Sequence, residues 1–179
     1  MKRNQARECI IKTASLLFYK QGYSNTGINQ IIDEAGIAKS TLYQHFRSKE
    51  DLLIAYLEET GVLTLKALKD AAQSGTTPLE KLVAIFDYLE KLVGMDEFYG
   101  CHFLNIVYEM PNREERAREQ IRRQKNLVRN LLGTIIEPLN KPELADEIYT
   151  LFEGALIAHK VHGANWPIRS AKNAVLQLV

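Results

Sequence analysis

Two cysteines are all this chain contains, Cys9 and Cys101, far apart, with no CxxC pair and no histidine at zinc-finger spacing. Neither a disulfide framework nor a structural metal is expected. Long apolar runs are missing as well. Stretches such as "GALIA" fall far short of the ~20 residues that span a bilayer, and the polar start "MKRNQARE" has no signal-peptide core. No membrane partner is expected, and the cytoplasm is the expected compartment. Catalytic signatures are equally scarce: there is no phosphate loop, dinucleotide fingerprint, zinc-protease pair or nucleophile elbow, and the four histidines are scattered. The sequence reads as a non-enzyme with no cofactor.

A charge imbalance is lacking overall, at +1, yet charge is unevenly placed. Residues 1–50 hold eight Lys/Arg against four Asp/Glu, and residues 51–179 hold 15 against 18. The basic first part has the footprint expected for nucleic acid. With 46% hydrophobic residues among 179, the chain can bury a core in one or two domains. Helical periodicity recurs without a convincing β alternation, so the fold class is all-α. Helices are expected over 4–21 with Asn4 as N-cap, from Thr26 as cap to Ala35-Gly36, over 39–46, and from Ser48 to "QSGTT". Further helices are expected over 78–93 with a Thr77/Glu80 capping box, then 100–110, 113–137, 142–162 and 168–179.

The stretch "AGIAKSTLYQHFRSKEDLL", residues 35–53, carries the functional signal. Leu42 and Phe46 lie within 40° on a helical wheel and define a buried side. Ser40, Thr41 and Gln44 then point away from the core, flanked by Tyr43 and His45. The preceding short helix with Ile28, Ile31 and Ile32, followed by a turn at Gly36, completes a helix-turn-helix pattern. In such a motif Ser40, Thr41 and Gln44 face base edges in the major groove, while Lys39, Tyr43 and His45 reach phosphates. Lys49 and the free N–H groups after Ser48 add an anion site, partly offset by Glu50 and Asp51.

The run "TGINQIIDEAGIAKSTLYQHFRSKEDLL" closely resembles the DNA-binding signature of the TetR (tetracycline-repressor) family. The matching positions are Gly22-Tyr23, Thr26, Ala35-Gly36, Thr41-Leu42-Tyr43, His45-Phe46 and Ser48-Lys49-Glu50. The resemblance covers about residues 4–57 and extends the DNA-contact set to Thr26. One departure is Ala38, where many members have a capping serine. The resemblance implies a three-helix DNA-binding domain over 1–47 and a helical ligand-binding and dimerisation domain over 48–179. It further implies a repressor that binds a palindromic double-stranded operator as a homodimer and is released by a small-molecule effector. An activator or nucleoid-associated factor on the same scaffold, or a helical interaction module with a degenerate reader, are the alternatives.

Beyond the reader, Leu144, Ile148, Leu151, Phe152 and Ala155, then Ile168, Ala171, Val175 and Leu178, give the helices near 142–162 and 168–179 more apolar surface than a small monomer needs, which fits homodimerisation. Phe86, Leu89, His102, Phe103, Asn105, Tyr108 and Glu109 are candidates for an effector pocket, and ordinary core or surface is the competing reading for each. His159 and His162 sit at metal-ligating i, i+3 spacing but lack a third ligand, so no metal site is expected. Cys101, near a helix start, reads either as a redox or electrophile sensor or as an inert buried thiol. "REERAREQIRRQK", residues 113–125, reads as a solvated helix face.

Overall fold

A computed structural model describes residues 3–110 and 114–179. Among these residues there are nine α-helices and no strand: α1 (Arg3–Gln21), α2 (Ile28–Ala35), α3 (Lys39–His45), α4 (Lys49–Ala72), α5 (Pro78–Val93), α6 (His102–Glu109), α7 (Glu115–Ile136), α8 (Leu144–His162) and α9 (Trp166–Leu178). The all-α expectation holds. No helix among the described residues is long and apolar enough to cross a membrane.

Local chemistry sets most of the boundaries. Thr77 accepts from the Glu80 N–H at 3.2 Å while the Glu80 carboxylate accepts from the Thr77 N–H at 3.1 Å, the expected capping box. Ser48 likewise caps α4, accepting from the Asp51 N–H at 3.0 Å. Three expectations need correction. Asn4 lies inside α1 instead of capping it. The N-cap of α2 is Gly27, because the Thr26 side chain turns inward. Helix α9 starts at Trp166-Pro167, two residues before the expected start at 168; proline is tolerated in a first turn, where its missing N–H has no acceptor to lose. The expected start of α7 at residue 113 lies outside the described residues.

The chain divides into two compact units, one comprising residues 1–61 and 102–122, the other residues 62–101 and 123–179. Packing thus groups residues 48–61 and 102–122 with the helix-turn-helix, a different partition from the functional boundary drawn after residue 47. In the first unit α1 packs on α2 and α3, burying Ile10, Ile11, Ala14 and Phe18. The Phe18 ring meets Tyr23 and Tyr56 edge-on at 5.2 and 5.8 Å. In the second unit α9 packs on α8 and α5, and Leu82, Ile85 and Phe86 share a core with Leu132, Ile148, Phe152, Ile168 and Val175. Exposed pairs such as Arg129–Asp146 and Arg169–Glu90 decorate this unit and contribute little.

Candidate nucleic-acid interface

Helix α3 is short, and its two large apolar side chains decide its orientation. Leu42 is fully buried, and Phe46, which caps the helix, is nearly so, with the Arg7 guanidinium 5.5 Å from its ring centroid. Fixing that side forces the rest outward: Lys39, Ser40, Tyr43 and Gln44 are exposed, and Thr41 and His45 are half-buried at the edges. The turn before α3 depends on Gly36, whose φ of 61° lies in the left-handed region. Ala38 occupies the N-cap in extended conformation and offers no side-chain bond, so the start of α3 is held by backbone alone. Exposed Arg47, just beyond α3, adds a cation that the helical-wheel argument did not reach because it follows the helix end.

Two residues expected at the DNA face are bonded within the unit. Thr26 is 1% exposed; its hydroxyl donates to the Gly22 carbonyl at 2.7 Å and accepts from Gln21 Nε2 at 3.2 Å. Gln21 in turn exchanges amide bonds with Gln30, tying α1 to α2. Lys49 donates to the Tyr23 carbonyl at 2.5 Å and lies 4.1 Å from the Tyr23 ring centroid. Burial pushes the Lys49 ammonium below its ordinary pKa, and the nearby Glu114 and Glu109 carboxylates oppose that shift. Of the N–H groups expected to form an anion site after Ser48, that of Asp51 donates to the Ser48 hydroxyl at 3.0 Å, while the offsetting carboxylates are engaged elsewhere, Asp51 by Arg116 at 2.8 Å and Glu50 by the Ala117 N–H. These groups position α2 and α4 around the reader, and the outward face is drawn without them.

Segment 102–122 fastens to the same turn, which the sequence did not foretell. Glu109 accepts from the Ser24 N–H at 3.1 Å, its backbone carbonyl accepts from the Ser24 hydroxyl at 2.9 Å, and Tyr23 donates to Glu114 at 3.0 Å. Gly22, at φ 95°, admits the Glu109 carboxylate to within 2.6 Å of where a Cβ would stand. The only advance signal was Gly22 itself. Deeper in this unit His102 stacks on Tyr19 at 3.7 Å between centroids, and its Nδ1 lies 2.5 Å from the Tyr56 hydroxyl. Burial pushes His102 down to about 4.

The effector candidates are divided between the two units. Phe86 and Leu89 are core residues of the second unit, with Phe86 edge-on to Phe152 at 6.3 Å. His102, Phe103, Asn105, Tyr108 and Glu109 belong to the first unit, where Phe103 is buried, Asn105 is half-buried and Tyr108 is 75% exposed. Three surface hollows, along α7 and α8, between α8 and α9, and on α7, include none of the seven. Among the described residues no cluster of three metal-ligating side chains occurs. His159 instead engages the Ala164 carbonyl at 2.9 Å, and His162 lies against Trp166.

A short polar helix thrust outward by a buried Leu–Phe pair, behind a glycine turn and a supporting helix, defines a helix-turn-helix DNA-binding regulator. Residues 10–56 match the family described as bacterial regulatory proteins, tetR family. Over 164 residues the chain is 29% identical to an HTH-type transcriptional regulator in the lacX 3′ region of Lactococcus lactis subsp. lactis, covering 87% of this chain and 83% of that protein. It is 38% identical over 90 residues to the HTH-type transcriptional regulator LmrA of Bacillus subtilis (strain 168), about half of each chain at 50% and 48%. The crystal structure of a TetR-family regulator from Streptomyces coelicolor superposes with a TM-score of 0.88 at 22% identity, covering 99% of this chain and 94% of that one. Residues 10–56 thus form a DNA-binding domain of the tetR family, and the whole chain has the fold of a TetR-family regulator.

Proposed function

We propose that this regulator is a cytoplasmic repressor that binds a palindromic operator as a two-fold homodimer and is released by a small, largely apolar effector. The observation that carries the DNA reading is the partition of α3, with Leu42 and Phe46 inward and Ser40, Tyr43 and Gln44 outward. Gln44 pairs with adenine, Ser40 and Thr41 meet neighbouring base edges, and Lys39, Tyr43, His45 and Arg47 reach phosphates. Dimerisation through α8 and α9 is supported by the mainly apolar hollow between them, bordered by Leu151, Ala174 and Leu178, and by exposed Val161, Trp166 and Leu176. Two readers then sit about 34 Å apart, one duplex turn, and an effector that favours a dimer with a different spacing opposes operator binding. Phe86 and Leu89 are the pocket candidates that fit this reading, and an effector reaches them by parting packed side chains.

Selection from randomised duplexes tests the reading. The wild-type chain should recover two inverted half-sites, and Gln44→Ala should relax preference at one base pair per half-site by about 1–3 kcal/mol. An unchanged preference order in the variant would overturn the assigned groove face. Compounds found by thermal shift, titrated into the selected protein–DNA complex, test release: a tenfold loss of operator affinity must be matched by a tenfold loss of compound affinity on DNA, about 1.4 kcal/mol.

A further inference from the structure

Residues 35–49 contain no acid, and the first two that follow, Glu50 and Asp51, stand in the opening turn of α4. Chain geometry keeps the Glu50 Cα within about 11 Å of that of exposed Arg47, close to the Debye length of about 10 Å at about 0.1 M salt. Carboxylates so near the phosphate-facing side of the reader oppose a duplex. Lys49 does not offset them outwardly, because its ammonium is turned to the Tyr23 carbonyl. The cation that meets them lies 65 residues beyond Asp51, in the same unit. Arg116 of α7 donates to Asp51 at 2.8 Å and stands 3.7 Å from one Glu50 oxygen, while the other accepts from the Ala117 N–H at 3.3 Å. The two carboxylates are 21 and 23% exposed and the guanidinium 65%, so the cation forms the outer layer. The Arg116 hydrogen bond, with help from the Ser48 hydroxyl and the Arg47 N–H, holds the Asp51 carboxyl below its usual range, and it is charged at neutral pH.

We propose that Arg116 is a positioning residue for DNA binding: it holds the Glu50 and Asp51 carboxylates back from the duplex and covers them with positive charge, without itself meeting a phosphate. An exposed ion pair of this kind contributes little to folding, so its consequence lies in the surface that the reader's exit presents. Removing the guanidinium does two things at once. It subtracts one positive charge, and it releases two negative side chains to turn outward. Phosphates carry no sequence information, so the effect falls on every duplex alike and leaves base preference untouched. The opening turn of α7 thereby acts on the reader through α4. The proposal rests on the DNA face assigned to α3 above, whose own failure shows separately in the Gln44→Ala selection.

Fluorescence anisotropy on the full chain tests this, with a duplex carrying the selected half-sites and a random-sequence duplex of the same length, at about 0.1 M salt. Arg116→Met should weaken binding to both by about tenfold while the thermal midpoint stays near the wild-type value. In a Glu50→Gln/Asp51→Asn background, where each amide keeps an oxygen acceptor, the same substitution should cost no more than about threefold, the share of its own charge. Arg116→Lys keeps the charge but loses the planar fork; it should cost about threefold in the wild-type background and nothing in the neutral one. A folded Arg116→Met chain with wild-type affinity would overturn the proposal. So would a loss as large in the neutral background as in the wild type, which would make Arg116 a phosphate contact, or a loss confined to the selected duplex, which would make it a reader of sequence. If Arg116→Met does not fold, Arg116→Lys in the two backgrounds decides it.

Discussion

In the first unit the inward polar groups gather around one turn. Thr26, Gln21, Lys49, Glu109 and Glu114 bond to residues 22–26 or to each other and hold the backbone from which α2 and α3 depart. In the second unit the main buried polar feature is the Lys125–Glu153–Cys101 cluster, set against an otherwise apolar core. The difference reflects what each unit must present. A DNA reader works through an outward face, so its interior polar bonds serve only to fix that face, and residue type along α3 announces the function. On the proposed reading the second unit answers to a small molecule through its interior, where one charged pair among apolar chains is the conspicuous chemistry.

Breaking the second unit's polar feature should produce the largest effect. Glu153→Ala leaves the Lys125 ammonium buried without its carboxylate, a change that costs about 3–5 kcal/mol when a buried pair loses one member. Urea unfolding should show a correspondingly lower midpoint. A loss below 1 kcal/mol would mean that water reaches Lys125 and that the contrast between the units is overstated.

The first unit holds a titrating group of its own, and here pH separates the units. The fold favours neutral His102, with its proton taken up near 4 in place of the ordinary 6.5. The unfolded chain binds that proton first as pH falls, so this contribution to stability is complete above about 6.5 and is lost progressively toward pH 4. At most it amounts to about 3 kcal/mol, with about 2 lost by pH 5. His102→Gln should flatten this part of the stability profile between pH 7 and 5 relative to wild type. Parallel profiles for the two chains would place the titration elsewhere.

Within the reader, two lysines that look alike in the sequence should behave differently. Lys39 is exposed, and Lys39→Ala should lower the log–log salt slope of DNA binding by about 0.9 for each reader bound. Lys49 is tethered to the Tyr23 carbonyl, so Lys49→Ala should cost about 1–2 kcal/mol of folding stability and leave the slope near the wild-type value. Equal slope losses in both variants would show that the Lys49 ammonium turns from Tyr23 to phosphate on the duplex.

That lysine pair also marks where sequence reading stops. Helix positions, the Thr77–Glu80 box and the α3 face were legible because each depends on residues within one or two turns. The partners of Ser24 and Tyr23 lie 85 and 91 residues away, and no periodicity announces them. The charged run 113–125 reads as a solvated helix face, with no inward stripe assigned to it. Arg116 and Arg122 are indeed exposed, but Ala117, Ile121 and Lys125 recur every fourth residue on the inward stripe, which continues as Val128 and Leu132. The spacing was available, and the charge of Lys125 hid it, because a lysine is read as surface unless a paired carboxylate is known. The proposed effector pocket is the least legible from sequence, since a cavity is a property of packing and not of residue type.

The smallest effect expected is at the start of α3. Ala38 has the extended backbone of an N-cap, φ −74° and ψ 147°, and its carbonyl already accepts from the Thr41 N–H at 2.9 Å and the Leu42 N–H at 3.3 Å. What the position lacks is a side-chain acceptor for the N–H groups of the first turn. Ala38 is exposed, so a hydroxyl there meets no packing obstacle. Ala38→Ser should therefore raise stability by about 0.5–1 kcal/mol, read as a higher thermal midpoint. Because the added bond fixes the helix that carries Ser40 and Gln44, operator affinity should rise or hold while the salt slope stays constant, for no phosphate contact is gained. A fall in the midpoint would mean that the hydroxyl competes with the existing Ala38 carbonyl bonds, and that α3 is held more firmly by Leu42 and Phe46 than by any cap.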